Sequence, residues 1–205
     1  MVQKIAIHQA KLVYVFKIGD YMQKNKTKDL VMCSLFVALI AVGAFIKIPV
    51  PVVPFTLQLL FTMMAGLLLG GKLGALSVCA YIFMGLIGLP VFAEGGGFAY
   101  VLKPSFGYII GFAVASYVTG TIANRVSNPG YKRLLAANFI GLGIVYLFGM
   151  VYYYLMSNLY LGNPIGLWPL FLYCFILAVP GDILLCVLGA FLGKRMIPMM
   201  RSDRM

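Results

Sequence analysis

Hydrophobic residues gather into six long, nearly unbroken runs: Leu30 to Ile48, Phe55 to Gly71, Leu73 to Leu89, Ser105 to Ala123, Leu134 to Ser157 and Leu167 to Gly193. The segments between them hold most of the charge and most of the proline. A helix needs roughly 20 residues to cross a hydrocarbon core of about 30 Å, so each run predicts a membrane-spanning helix, the second and third being short for one. The runs are continuous rather than alternating, which speaks against a barrel, and a helix closes its own backbone hydrogen bonds where water is absent. The pattern predicts an all-α integral membrane protein. It is a bundle of six transmembrane helices over residues 26–197, with an extension over 1–25 and a tail over 198–205.

Charge orients that bundle. With the N-terminus in the cytoplasm, the inner segments hold Lys4, Lys11, Lys17, Lys24, Lys26, Lys28, Lys72, Arg125, Lys132, Arg133, Lys194, Arg195, Arg201 and Arg204, fourteen of the sixteen basic residues. Only Lys47 and Lys103 fall outside. An excess of lysine and arginine marks the cytoplasmic side of a membrane protein, so both termini are expected there. A chain of 205 residues that is 62% hydrophobic and 10% charged, with a mean hydropathy of +0.99, cannot cover itself with polar groups and takes lipid as its solvent. The net charge of +11 does not point to nucleic acid, because the basic residues sit between apolar runs with no basic and aromatic stripe. The first 21 residues mix Ile5, Leu12, Val13, Phe16 and Ile18 with lysines, which reads as an interfacial amphipathic helix or as an inert start ahead of Met22, not as a secretory signal.

Several chemistries lack their motifs. The chain has no G-x-x-x-x-G-K-[ST] phosphate loop, no H-E-x-x-H, no G-x-S-x-G and no paired carboxylates at helical spacing within a run. Cys33, Cys79, Cys174 and Cys186 lie inside apolar runs without a C-x-x-C pair, and read as small buried hydrophobes rather than disulfide or metal partners. The sequence therefore predicts neither an enzyme nor a cofactor site, and energy for uphill transport has to come from another subunit.

Binding chemistry is expected on the outer side, where Pro49, Pro51, Pro54, Pro90, Pro104, Pro164 and Pro169 gather in elaborated loops. The loop from Pro90 to Pro104 is mostly apolar around Gly95-Gly96-Gly97, and is expected to fold back over the bundle as a lid or plug. Asp182, directly after Pro180 and Gly181, is the sole acid within a predicted span. A charge there costs several kcal/mol unless paired or wetted, so it reads either as a binding group or as a packing carboxyl that answers backbone freed by Pro180. Lys103 and Glu94 either hold an anionic ligand and its donors or pair with each other. Gln58 and Thr56 stand at the outer start of the second run, where Thr56 is also a candidate helix cap. Tyr100 in the lid and Tyr108 at the outer start of the fourth run join these candidates. Small residues at spacing four, as in Gly66-Gly70-Gly74, Gly107-Gly111-Ala115 and Ser34-Ala38, allow close helix approach, the last pair serving either internal packing or a partner.

Five ordered motifs, Val53-Pro54-Phe55-Thr56-Leu57-Gln58, Ala65-Gly66-Leu67-Leu68-Leu69-Gly70, Gly85 to Ala93 (GLIGLPVFA), Gly107-Tyr108-Ile109-Ile110-Gly111-Phe112 and Pro180-Gly181-Asp182, resemble the BioY family, the biotin-binding S component of energy-coupling factor (ECF) transporters. The resemblance runs from about Lys26 to Arg195. It implies a six-helix S component in a bacterial or archaeal cell membrane that binds biotin from outside. It also implies a transmembrane coupling protein and two cytoplasmic ATPases as partners, with the S component tilting to release its ligand inward. On the same basis Asp182 would accept hydrogen bonds from the ureido ring, Phe92 would pack on the bicyclic ring, Lys103 would take the valerate carboxylate, and Ser34 and Ala38 would meet the coupling protein. The chain departs from similar sequences at Leu185, where a lysine is common, and at Glu94, where a neutral residue is. An S component for another small vitamin therefore stays open. A secondary transporter or intramembrane enzyme is the more distant alternative.

Overall fold

A computed structural model describes residues 26–48 and 55–202. The extension over 1–25, with its possible interfacial helix, and the prolines at 49, 51 and 54 lie outside the described residues.

The first run forms α1 over Lys26–Phe45. It stops three residues before the predicted end, because Lys47–Ile48 (β1) turns away to pair antiparallel with Phe55–Thr56 (β2), Lys47 opposite Thr56. Proline at 49, 51 and 54 removes backbone donors that a longer helix would need. Thr56 therefore lies in the strand and is not a helix cap: the N-cap of α2 (Gln58–Leu69) is Leu57, and no side chain caps that helix. Gly70, at a φ of 89°, is the single residue between α2 and α3 (Gly71–Leu86). A left-handed backbone of that kind strains any residue with a Cβ. The apparent Gly66-Gly70-Gly74 stripe is thus split between two helices.

A loop with a 3-10 turn at Phe98–Leu102 leads to α4 (Phe106–Asn124), and α5 (Tyr131–Leu155) runs on into a π-helical turn at Met156–Tyr160. The sixth run is helical over Leu167–Met200 but not uniform. It consists of α6 (Leu167–Phe171), a π-helical turn at Leu172–Ile176 and, after a two-residue break, α7 (Val179–Ser202), which continues through 198–202 of the expected tail. Of the six helical segments, α1, α4, α5 with its extension and the sixth are long and apolar enough to cross a membrane; α2 and α3 are shorter.

The outside of this bundle is greasier than parts of its inside. Leu30, Phe83, Leu147, Leu184 and Phe191 are exposed, whereas Gln58, Thr62, Ser77, Ser116, Thr119 and Asn138 are buried. Lipid tails give apolar side chains no reason to hide, so association rests on close packing and interhelical hydrogen bonds. Glycine supplies the first. A Cβ on Gly74 would stand 2.7 Å from the Gly66 Cα, and one on Gly120 would stand 2.6 Å from the Gly71 nitrogen, so α2, α3 and α4 meet backbone to backbone. Asn138 supplies the second, its Nδ2 donating to the Cys186 carbonyl at 2.9 Å and tying α5 to α7.

The two ends of the bundle differ. At one, Lys194 donates to Asn128 Oδ1 at 2.9 Å, and Arg133 donates to the Ile122 carbonyl at 2.8 Å, among the basic turns. At the other sit the strand pair and the loop from 87 to 105, joined where Lys47 donates to the Ala93 carbonyl at 2.9 Å.

Candidate functional site

Beneath that loop end lies a cavity walled by every element that converges there. Thr56 and Gln58 come from β2 and α2, Ala93, Tyr100 and Ser105 from the loop, Tyr108 and Phe112 from α4, Val145 and Tyr146 from α5, and Cys174, Ala178 and Asp182 from the broken sixth segment.

The Pro-Gly-Asp sequence explains how an acid reaches this place. Helix α7 begins at Val179, so Pro180 falls in its first turn, where a backbone N–H has no partner in any case. Gly181 clears Phe55, whose ring would stand 2.6 Å from an added Cβ. Asp182, its backbone N–H on the Ala178 carbonyl at 3.1 Å, then enters the cavity near the helix N-terminus, where the dipole favours a negative group. One carboxyl oxygen, Oδ2, accepts the hydroxyl of Tyr146. No lysine, arginine or histidine stands among the lining residues, and Leu185, one turn on, is buried.

The opposite wall is aromatic. Tyr108 donates to the Cys174 carbonyl at 3.3 Å, in the π-helical turn, and π-helical turns recur at functional sites. Gln58 is buried, and its Nε2 has no bonded partner among the described residues.

The roof is the apolar loop, folded onto the bundle. Phe92 is fully buried in the notch left by Gly85, with its ring 5.4 Å from Tyr81 and 4.5 Å from Tyr100. Tyr81 donates to the Val91 carbonyl at 3.0 Å, Gly97 N–H to the Gly85 carbonyl at 2.7 Å, and Tyr152 to the Val101 carbonyl at 2.5 Å. Burial pushes the Tyr100 hydroxyl above the usual tyrosine range, so it stays a neutral donor. Lys103 and Glu94 form an ion pair of 2.9 Å on the roof's outer surface, Lys103 lying 4.9 Å from the Tyr100 ring centre.

Of the residues singled out in the sequence, Thr56, Gln58, Tyr100, Tyr108 and Asp182 share the cavity. Phe92, Lys103 and Glu94 do not line it: Phe92 backs Tyr100, and the ion pair faces outward. Ser34 and Ala38 are exposed on α1, away from the bundle interior, the Ser34 hydroxyl donating to the Leu30 carbonyl at 3.0 Å. Sequence reasoning passed over Tyr146, one tyrosine in an apolar run. The signal was Asp182 itself, because an acid in a span needs a donor from a neighbouring span.

Comparison with known proteins places this geometry. The sequence model of the BioY family matches residues 17–202. A protein of Lysinibacillus sphaericus described as a probable biotin transporter BioY is 46% identical over 183 residues, 89% of this chain and 93% of its own. The biotin transporter BioY of Rhizobium etli is 35% identical over 179 residues, 82% of this chain and 92% of its own. Among solved structures, the S-component for biotin from an ECF-type ABC transporter is 30% identical and superposes with a TM-score of 0.74 over 84% of this chain and 92% of that one. The family model spans every described helix, the roof and the Asp182 wall. This multi-pass membrane protein belongs to the BioY family.

Proposed function

We propose that the chain is the substrate-binding membrane component of a vitamin importer. It takes biotin from the outer face of the cell membrane and passes it inward with an ATP-driven partner module, a transmembrane coupling protein and two cytoplasmic ATPases. Relatives named as biotin transporters and the cavity with a single acid together support this reading. The observation that carries it is Asp182, set where a ring bearing N–H donors can reach it. The excess of basic residues at the end opposite the loop supports cytoplasmic termini with the loop end outside. The exposed small residues Ser34 and Ala38 on α1 offer a surface for close approach of the coupling protein.

Biotin pairs a flat bicyclic ureido ring with an acidic tail. In this reading Asp182 accepts the ureido N–H groups, Tyr108, Tyr146 and Phe112 flank the ring, and Gln58, Thr56 and Tyr100 supply further polar contacts. Lys103 takes the tail carboxylate on leaving Glu94, and Phe92 holds Tyr100 in place. The chain binds and hands over its ligand without chemistry.

Calorimetry with biotin on the purified protein tests the reading, and Asp182→Asn tests its centre. An ionised acceptor makes each hydrogen bond worth about 1.5–3 kcal/mol, whereas an amide turns a donor toward donors. Affinity should fall by about tenfold to several hundredfold with an unchanged melting temperature. Absence of biotin binding by the wild-type protein would refute the assignment.

A further inference from the structure

Among the described residues, no cation lines the cavity beside Asp182. The polar groups that line the cavity with it include the hydroxyls of Tyr146 on α5 and Tyr108 on α4, the thiol of Cys174 in the π-helical turn and the Gln58 amide on α2, and Cys186 follows one turn on along its own helix. Two of these are engaged elsewhere, Tyr108 with the Cys174 carbonyl at 3.3 Å and Cys186 with the Met63 sulfur at 3.9 Å. Among the described residues, Tyr146 alone donates to the carboxyl.

Tyr146 is also held. Its side chain is 3% exposed, with Phe175 edge-on at 4.9 Å and Tyr108 edge-on at 6.3 Å. Phe175 is stacked in turn on Phe171 at 4.9 Å. A ring fixed on two sides cannot follow a carboxyl that rotates, so the carboxyl conforms to the ring. The bond fills one acceptor position on Oδ2 and sets the carboxyl plane, leaving Oδ1 and the second position on Oδ2 for incoming donors. A hydrogen bond with one ionised partner is roughly twice as strong as a neutral one, so this phenol can stand where a counter-ion is missing.

We infer that Tyr146 is a positioning residue, which orients the Asp182 carboxyl for a ligand carrying N–H donors. The inference rests on the proposed binding of biotin at Asp182.

A double-mutant cycle read by calorimetry tests it. Tyr146→Phe keeps the ring and removes only the hydroxyl, and should weaken biotin binding about tenfold. In an Asp182→Asn background the same change should have less than a twofold effect, because its route to the ligand is gone. An equal loss in both backgrounds would mean that the Tyr146 hydroxyl meets the ligand directly rather than through Asp182, and would overturn the inference. No loss in the wild-type background would overturn the inference while leaving the biotin assignment standing. Wild-type protein that ignores biotin would instead remove the assignment underneath. Should the phenylalanine variant fail to fold, fluorotyrosine at 146 reads the same bond, since it keeps the hydroxyl and strengthens it as a donor. A change in affinity confined to protein with Asp182 intact supports the inference, and no change or an equal one overturns it.

Discussion

The cavity has two walls built on opposite principles. Helices α2, α3 and α4 meet through glycine, and 61% of the most apolar stretch of α4 is buried. The sixth segment is held differently: 22% of its corresponding stretch is buried, and it is interrupted by a π-helical turn and a break before α7. Close backbone packing has two states, in contact or apart, and so resists small adjustment. A helix with an extra residue wound into one turn and few neighbours can shift. Asp182 stands at the junction, carried by the second wall and clamped by Tyr146 from α5. The cavity thus has a closely packed wall on one side and a more loosely covered one on the other.

The contrast is broken most severely at Gly120. A Cβ there would lie 2.5 Å from the Gly66 oxygen and 2.7 Å from the Gly70 carbonyl carbon, both backbone atoms unable to yield separately. Overpacking typically costs about 1–3 kcal/mol and more where backbone must move, so Gly120→Ala should abolish recovery of folded, monodisperse protein from detergent. Gly143, with nothing within 4 Å of an added Cβ, gives the matched comparison. Gly143→Ala should be recovered in normal yield. Equal yields would show that the glycines are not what joins α2, α3 and α4.

A graded test sharpens the comparison by deleting one aromatic ring from the roof where it packs on α3 and one from the sixth segment. Phe92 is fully buried between Tyr81 and Tyr100, and replacing such a phenylalanine by alanine costs about 3–5 kcal/mol. Phe171 in the sixth segment is 40% exposed and stacks on Phe175, so Phe171→Ala should cost less, about 1 kcal/mol. Thermal melting in one detergent separates the two. Phe92→Ala should melt far below the wild type and Phe171→Ala close to it, and the reverse order would place the rigid wall on the sixth segment.

These differences mark where the sequence could be read and where it could not. The six runs announced themselves because a span needs only length and apolarity, both local properties. Asp182 was legible because an acid in an apolar run is conspicuous by its cost. The break at Leu177 and Ala178 was not, since a π-helical turn and an α-helix of the same apolar residues have the same composition. Nor was the division of labour between Phe92 and Tyr100: two aromatics of one loop differ only in which way the fold turns them. Gly70 reads as a member of a small-residue stripe until its φ of 89° shows that it ends a helix. Tyr146 needed a partner 36 positions away to acquire meaning.

The smallest expected effect concerns the ion pair on the roof, and it decides whether the roof loop takes part in the proposed binding. Lys103 and Glu94 lie 2.9 Å apart with side chains 41% and 43% exposed, so water competes for both and the pair contributes about 0–1 kcal/mol to stability. If Lys103 meets the carboxylate of biotin, it has to leave Glu94, and the energy of the pair is subtracted from that of binding. Glu94→Gln removes the competitor while keeping the side chain's length. The melting temperature should hardly move, and affinity for biotin should rise by up to about fivefold, the equivalent of 1 kcal/mol. Biotin amide, which lacks the charge, should bind the variant and the wild type alike. The gain should shrink with added salt, because exposed charges are screened over a Debye length of about 8 Å at physiological ionic strength. Equal affinities of Glu94→Gln and wild-type protein for biotin, or an equal gain for the amide, would confine Lys103 to bracing the roof, and the carboxylate would then be met by neutral donors such as Tyr100 and Ser105 at the cavity's rim.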